Sequence, residues 1–170
     1  MNQLSHVNPT TGQANMVDVG NKPVTQRSAT AEALVMVSAD LAQAIRENTI
    51  KKGDVLAIAR IAGITGAKRT ADLIPLCHQL PLDSVHVDAV LEDAVDDQQR
   101  CVVRITATAN TSARTGVEME ALTAATIASL TVYDMGKAID KAIAIQDVRL
   151  LSKTGGRSGD YHAPAAKTGG

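Results

Sequence analysis

The stretch from Ala121 to Tyr133 (ALTAATIASLTVY) carries no charged residue. Wound as a helix, it shows no polar face, so it must be buried in a core or between subunits. The rest of the chain has to cover it. Aromatic poverty tightens that constraint, because Tyr133 and Tyr161 are the only Phe, Trp or Tyr among 170 residues. The core is therefore built from Ala, Val, Leu and Ile, which bury less area per side chain than aromatic rings do. Oligomerisation is one way to add burial.

Charges gather at the two ends of this run: Glu118 and Glu120 before it, Asp134 and Lys137 after it. Ionisable groups flanking a buried helix must be solvated, paired or functional. Each end also has a purely structural reading. Thr115-Gly116-Val117-Glu118 fits a capping box, with Glu118 tied back to the Thr115 amide, and Glu120 suits the helix dipole. Asp134 and Lys137 stand three apart with the acid first, the spacing of an ordinary surface salt bridge. Such structural pairs outnumber catalytic ones.

Around the helix the hydrophobic pattern predicts a strand over 32–37, a helix from Ser38 to about Glu47, and a second helix from near Asp54. Residues 65–84 hold two prolines and no clean period, and read as an ordered loop or a broken helix end. Strands are predicted over 85–91 and 101–111 with a polar turn over 93–99 between them. The long helix is expected from about Gly116 to Lys141, and a last strand over 144–151. The order is β-α-α-β-β-α-β. Removing one helix leaves the split βαβ plan. The expected fold is α+β and ferredoxin-like, an antiparallel sheet with helices on one face plus an extra helix. The other sheet face would then need cover, which a second subunit could supply. Residues 1–31 read as an irregular polar arm, 32–160 as a single domain and 161–170 as a flexible tail.

Composition excludes several functions. The net charge is -1 with histidines neutral, which gives no push toward nucleic acid or an anionic membrane. Base-stacking side chains are nearly absent. No apolar run is as long as a membrane span, and the N-terminus lacks the apolar stretch of a secretory signal, so a cytoplasmic location is the default expectation. Cys77 and Cys101 form neither Cys-x-x-Cys nor a zinc spacing, and read as reduced thiols. His6, His78, His86 and His162 are far apart in sequence, so no built-in metal is expected. Mg²⁺ would arrive only with a nucleotide.

Two further features carry chemistry. Cys77 and His78 are adjacent within LIPLCH, but sequence neighbours often point apart, and a buried thiol beside a hydrogen-bonded histidine is the simpler reading. Basic residues, among them Lys22, Arg27, Lys52, Lys153 and Arg157, would form a polyanion site if they converge. No Walker or dinucleotide fingerprint is present. From these residues alone three readings stand: an enzyme with charged groups at the helix ends, a non-catalytic module binding an anionic nucleotide, and a Cys77-dependent transferase or hydrolase.

The motifs MVDV (16–19), KGDV (52–55), ARIAGI (59–64), KRT (68–70), DLIPLCH (72–78), TGVEMEALTA (115–124) and YDM (133–135) resemble the molybdenum-cofactor biosynthesis protein C family, the cyclic pyranopterin monophosphate synthases. The resemblance runs in order from the N-terminal arm to about Asp160. It implies a ferredoxin-like fold, assembled as a homohexamer of three dimers with sites at the dimer interface. It implies a lyase whose substrate is a cyclised dihydro-GTP supplied by a radical SAM GTP cyclase. The products are a cyclic pyranopterin monophosphate and pyrophosphate. Asp134, Lys52 and Lys137 match the family's catalytic residues. Leu76, Cys77, His78, Met119 and Glu120 match its substrate contacts, and Glu118 a further active-site carboxylate. Lys22, Arg27, Lys153 and Arg157 match basic positions near the triphosphate. Gln79, Ala71 and Arg114 depart from the family's usual residues. Ring rebuilding needs several proton transfers, hence more than one acid-base group. A lysine buried near other cations has a lowered pKa and can serve as a base.

Overall fold

The fold is seen in a computed structural model that describes residues 7–8, 10–95, 100–157 and 159–164. Strand β1 (Thr25–Val37) leads to helices α1 (Ala39–Arg46), α2 (Val55–Lys68) and the short α3 (Thr70–Leu73). Strands β2 (Leu82–Val95) and β3 (Cys101–Ala113) follow, then α4 (Glu118–Gly136), β4 (Ala144–Thr154) and β5 (Tyr161–His162). All pairings are antiparallel, in the order β2-β3-β1-β4-β5. β3 lies between β1 and β2, and β1 lies between β3 and β4, which is the split βαβ arrangement. The α+β, ferredoxin-like expectation therefore holds, with β5 added at one edge.

Local chemistry explains the elements. Along β3 every second side chain from Cys101 to Ala113 is buried and the intervening ones are half-buried, the period of a strand with one covered face. The Ser38 hydroxyl accepts from the Leu41 amide at 3.3 Å and starts α1. The Asp54 carboxylate accepts from the Ala57 amide at 3.0 Å and starts α2. α4 is the buried helix, with Ala121, Ala124, Ala125, Ala128 and Val132 fully enclosed. α2 packs directly on it through two glycines. A Cβ at Gly63 would come within 2.9 Å of the Ala124 carbonyl oxygen, and one at Gly66 within 2.8 Å of Ile127. Bare backbone at these two turns is what lets the helices approach so closely.

The element boundaries differ from the sequence reading in instructive ways. β1 begins at Thr25, not at Glu32. Its first residues are polar and pair with the polar end of β3, where Gln26 Nε2 donates to Ser112 Oγ at 3.0 Å. Hydrophobic alternation cannot reveal such a stretch. α4 spans Glu118–Gly136 rather than about 116–141. Past Gly136 the amides of Ile139 and Asp140 both return to the Gly136 carbonyl, at 2.9 and 3.0 Å, and close the helix. β2 runs to Val95, into the expected turn, and β4 runs on to Thr154. The rest of that turn (96–99), His6 with the start of the arm, and the tail from 165 lie outside the described residues.

The sheet face away from the helices is largely polar. Glu32 is 5% exposed there, held by Arg104 at 2.7 Å and Arg149 at 2.6 Å, while Arg104 also pairs with Glu92 at 2.5 Å. Thr30 and Thr108 share a 2.9 Å hydroxyl contact across strands. The face expected to need cover thus neutralises its own buried carboxylate within the chain.

Candidate active site in two halves

A cavity of about 890 Å³ opens at the N-terminal end of α4. The start of β1, the Gly-rich end of β4 and the irregular segment before β2 complete its walls. It gathers Leu76, Cys77, His78, Glu118, Met119 and Glu120 with Lys22, Arg27, Lys153 and Arg157. Those are all ten of the expected substrate contacts. Arg114 lines it too. In the sequence Arg114 stands out only as a departure from a motif, although its position one residue before TGVEME is a usable signal. Five cations and two carboxylates face one cavity, which favours a ligand with several negative charges.

Long-range bonds hold the walls. Arg27 Nε donates to the Ala113 carbonyl at 3.0 Å, and Arg114 Nε to the Lys22 carbonyl at 3.1 Å. His78 Nε2 lies 2.8 Å from the Val17 carbonyl oxygen, which pins the N-terminal arm to the cavity. Gly156 has φ +84°, and a Cβ there would overlap the Arg27 guanidinium. Glycine is needed for the Arg157 turn to close on Arg27.

The two carboxylates at the head of α4 differ in state. Glu118 Oε1 accepts from Lys153 Nζ at 2.8 Å. Burial alone would raise its pKa, but the Lys153 bond and the Lys153 and Arg27 charges bring it below the ordinary value. The capping-box expectation is therefore overturned. α4 begins at Glu118 with Val117 at its N-cap and no side-chain cap, so Glu118 is the first helical residue rather than the third, and its carboxylate bonds Lys153 and its own amide instead of Thr115. Glu120 is 4% exposed. Burial, reinforced by the Glu118 charge, raises its pKa to about 6. Burial and Glu120 push the Cys77 thiol up as well. A protonated thiol is a poor nucleophile, and His78 is engaged by Val17, so the Cys77-dependent reading loses its support.

The second half lies at the other end of α4. Asp134 Oδ1 is 2.6 Å from Lys137 Nζ, and its Oδ2 is 2.7 Å from Lys52 Nζ. Lys52 also donates to the Asp134 carbonyl at 2.8 Å. The Asp134–Lys137 salt bridge read from spacing is present. Lys52, from the loop before α2, turns it into a triad. Bonds from Lys137 and then Lys52 hold the Asp134 carboxyl down at about 2. Asp134 in turn raises the Lys137 pKa. The expectation of a buried, lowered lysine fails for Lys137 within one chain, because it is exposed and faces a carboxylate.

Glu118 and Asp134 are sixteen positions apart on one helix, roughly 24 Å at 1.5 Å per residue. Within one chain the triad does not reach the cavity. Among the described residues no group of three or more His, Cys, Asp or Glu side chains gathers in a way that could hold a metal. Nor is any helix among them long and apolar enough to cross a membrane.

Known proteins resemble this chain over most of its length. The MoaC family model matches residues 16–156. A cyclic pyranopterin monophosphate synthase of Rhodopirellula baltica is 54% identical over 154 residues, 88% of each chain. One of Streptomyces griseus is 53% identical over 165 residues, 96% of this chain and 88% of that one. Molybdenum cofactor biosynthesis protein 1 of Drosophila melanogaster is 57% identical over 155 residues, 91% of this chain but 26% of that longer protein. Matched by the family model along most of its length, and about half identical to these relatives, the chain belongs to the MoaC family.

Proposed function

We propose that this chain is a lyase of molybdenum cofactor biosynthesis that makes cyclic pyranopterin monophosphate. Its substrate on this reading is (8S)-3',8-cyclo-7,8-dihydroguanosine 5'-triphosphate, and pyrophosphate is released. The observation that carries the reading is the split of the site: a cation-rich cavity at one end of α4, a Lys-Asp-Lys triad at the other.

Lys22, Arg27, Arg114, Lys153 and Arg157 suit the triphosphate, and later the leaving pyrophosphate. Leu76, Cys77, His78, Met119 and Glu120 suit the ring system. The rearrangement needs several proton transfers. Lys137, kept cationic by Asp134, is suited to donate, and Lys52 is its counterpart across the carboxylate. A second copy, laid with its α4 antiparallel to the first, would bring one triad to the other chain's cavity. Leu130 and Tyr133 on α4, with Ile58 and Ile61 on α2, are exposed apolar side chains available to that contact. Three such pairs would form a homohexamer. No cofactor is built in on this reading, Mg²⁺ would enter with the triphosphate, a radical SAM GTP cyclase would supply the substrate, and the setting is the cytoplasm.

The test is to give the radical enzyme's product to the purified protein and to Lys52→Ala. Pterin and pyrophosphate should appear with the first and not with the second. No product from the unmodified protein, or full activity in the variant, overturns the reading.

A further inference from the structure

Asp140 belongs to neither half of the site, yet it is 7% exposed. A buried carboxylate is costly unless its oxygens are bonded. Oδ2 accepts from the Ser38 amide at 2.7 Å and Oδ1 from the Ala142 amide at 2.8 Å. Charge-assisted bonds of this length are among the stronger ones in a protein.

These bonds join two particular places. Ser38 is the N-cap of α1. Asp140 ends the wound segment after α4, where the Lys137 amide returns to the Tyr133 carbonyl at 2.9 Å and the Asp140 amide to Gly136 at 3.0 Å. The junction is tightly packed, since a Cβ at Gly136 would come within 2.6 Å of Leu41 Cδ2. α1 then passes into the loop that carries Lys52. That loop is tied by Thr49 N to Ala44 O at 3.1 Å and Gly53 N to Ile50 O at 2.9 Å, with Ile50 in the core. The segments bearing Lys52 and Lys137 therefore meet directly at Asp134, and α1 links them a second time, from the Asp140–Ser38 bond at its start to the Lys52 loop at its end. The lysine side chains are exposed and long, so the backbone spacing beneath them decides how often both reach one carboxylate.

We propose that Asp140 is a positioning residue, which sets the distance at which Lys52 and Lys137 meet Asp134 by pinning the end of α4 to the start of α1. It touches no substrate. Its effect on turnover rests on the acid-base reading of the triad.

The test compares unmodified protein, Asp140→Ala and Asp140→Asn at a temperature where each is folded. Carboxyl ¹³C NMR titration should find Asp134 near 2 in the unmodified protein and shifted up toward 3.8 in the alanine variant. The asparagine variant, which keeps one acceptor oxygen, should fall between. Turnover should drop about tenfold in the alanine variant, with KM within about twofold and partial rescue by asparagine. An unmoved Asp134 titration overturns the proposal, as does unchanged kcat per folded molecule. If the alanine variant does not fold, the asparagine variant decides by the same titration. If the unmodified protein makes no pterin, the function reading fails, and the titration still judges the pin.

Discussion

Lys52 crosses from the loop before α2 to the end of α4 and bonds Asp134 twice, at the carboxylate (2.7 Å) and at the main-chain carbonyl (2.8 Å). Lys137 takes the other carboxylate oxygen. One acid thus organises two bases from distant parts of the sequence.

Asp134→Asn should lower kcat by about 10²–10⁴, the range of general acid-base groups, with little change in KM. It also removes the charge that raises the Lys137 pKa. The limb of the kcat–pH profile that reports loss of the lysine proton should therefore move to lower pH. A kcat–pH series on both proteins checks the sign.

Subunit complementation tests the divided site. Lys52→Ala damages the triad and Lys153→Ala the cavity, so each alone should be strongly impaired. Mixed at equal amounts and reassembled, they should recover about a quarter of full activity, since half of randomly formed two-fold pairs are mixed and each holds one intact site. Turnover after co-expression or reassembly reads this directly, and no recovery would place the two halves in separate roles.

Glu120→Gln should change stability with pH. The folded-state pKa of about 6 lies above the ordinary 4.5. A carboxyl raised in this way contributes stability below about pH 4.5, and that contribution is lost as pH rises through 6. Glutamine carries no such charge. The variant should be the more stable protein at pH 8, by about 2 kcal/mol for 1.5 pH units, with the gap closing toward pH 4. Urea denaturation at the two pH values measures it.

Gly63→Ala should destabilise the fold by about 1–3 kcal/mol, the usual cost of overpacking. The added methyl meets a backbone oxygen, that of Ala124, which cannot rotate away. Its effect on helix propensity, about 1 kcal/mol in favour of alanine, is the smaller term. Thermal unfolding should show a lower Tm, and α2, displaced from α4, should carry Lys52 away from Asp134 with it.

Much of the architecture was legible because it rests on short-range periodicity. β3 alternates from end to end, the charge-free run is the buried helix, and α1 and α2 start beside Ser38 and Asp54, where helices were expected to begin. What escaped depends on partners far along the chain. Thr25 to Ser28 are strand because β3 is beside them, not because of their own pattern. Glu118 looked like a local cap, but Lys153 is 35 residues away and holds it. Asp134 and Lys137 declared themselves by spacing, whereas Lys52 is 82 residues from Asp134 and had no local sign. The separation of cavity and triad was legible in part: Glu118 and Asp134 stand at opposite ends of the charge-free run, but only the helix turns that run into roughly 24 Å.

That spacing gives α4 the character of a gauge block. A single residue inserted between Glu118 and Asp134 would add 1.5 Å of length and swing the triad by about 100° around the axis. Both neighbours of the helix, α2 and the sheet, would then meet the wrong side chains. Substitutions within the run are graded in their effect, but a change in its length is all-or-none. Insertions and deletions should therefore be found in the loops of related chains and be missing from this helix.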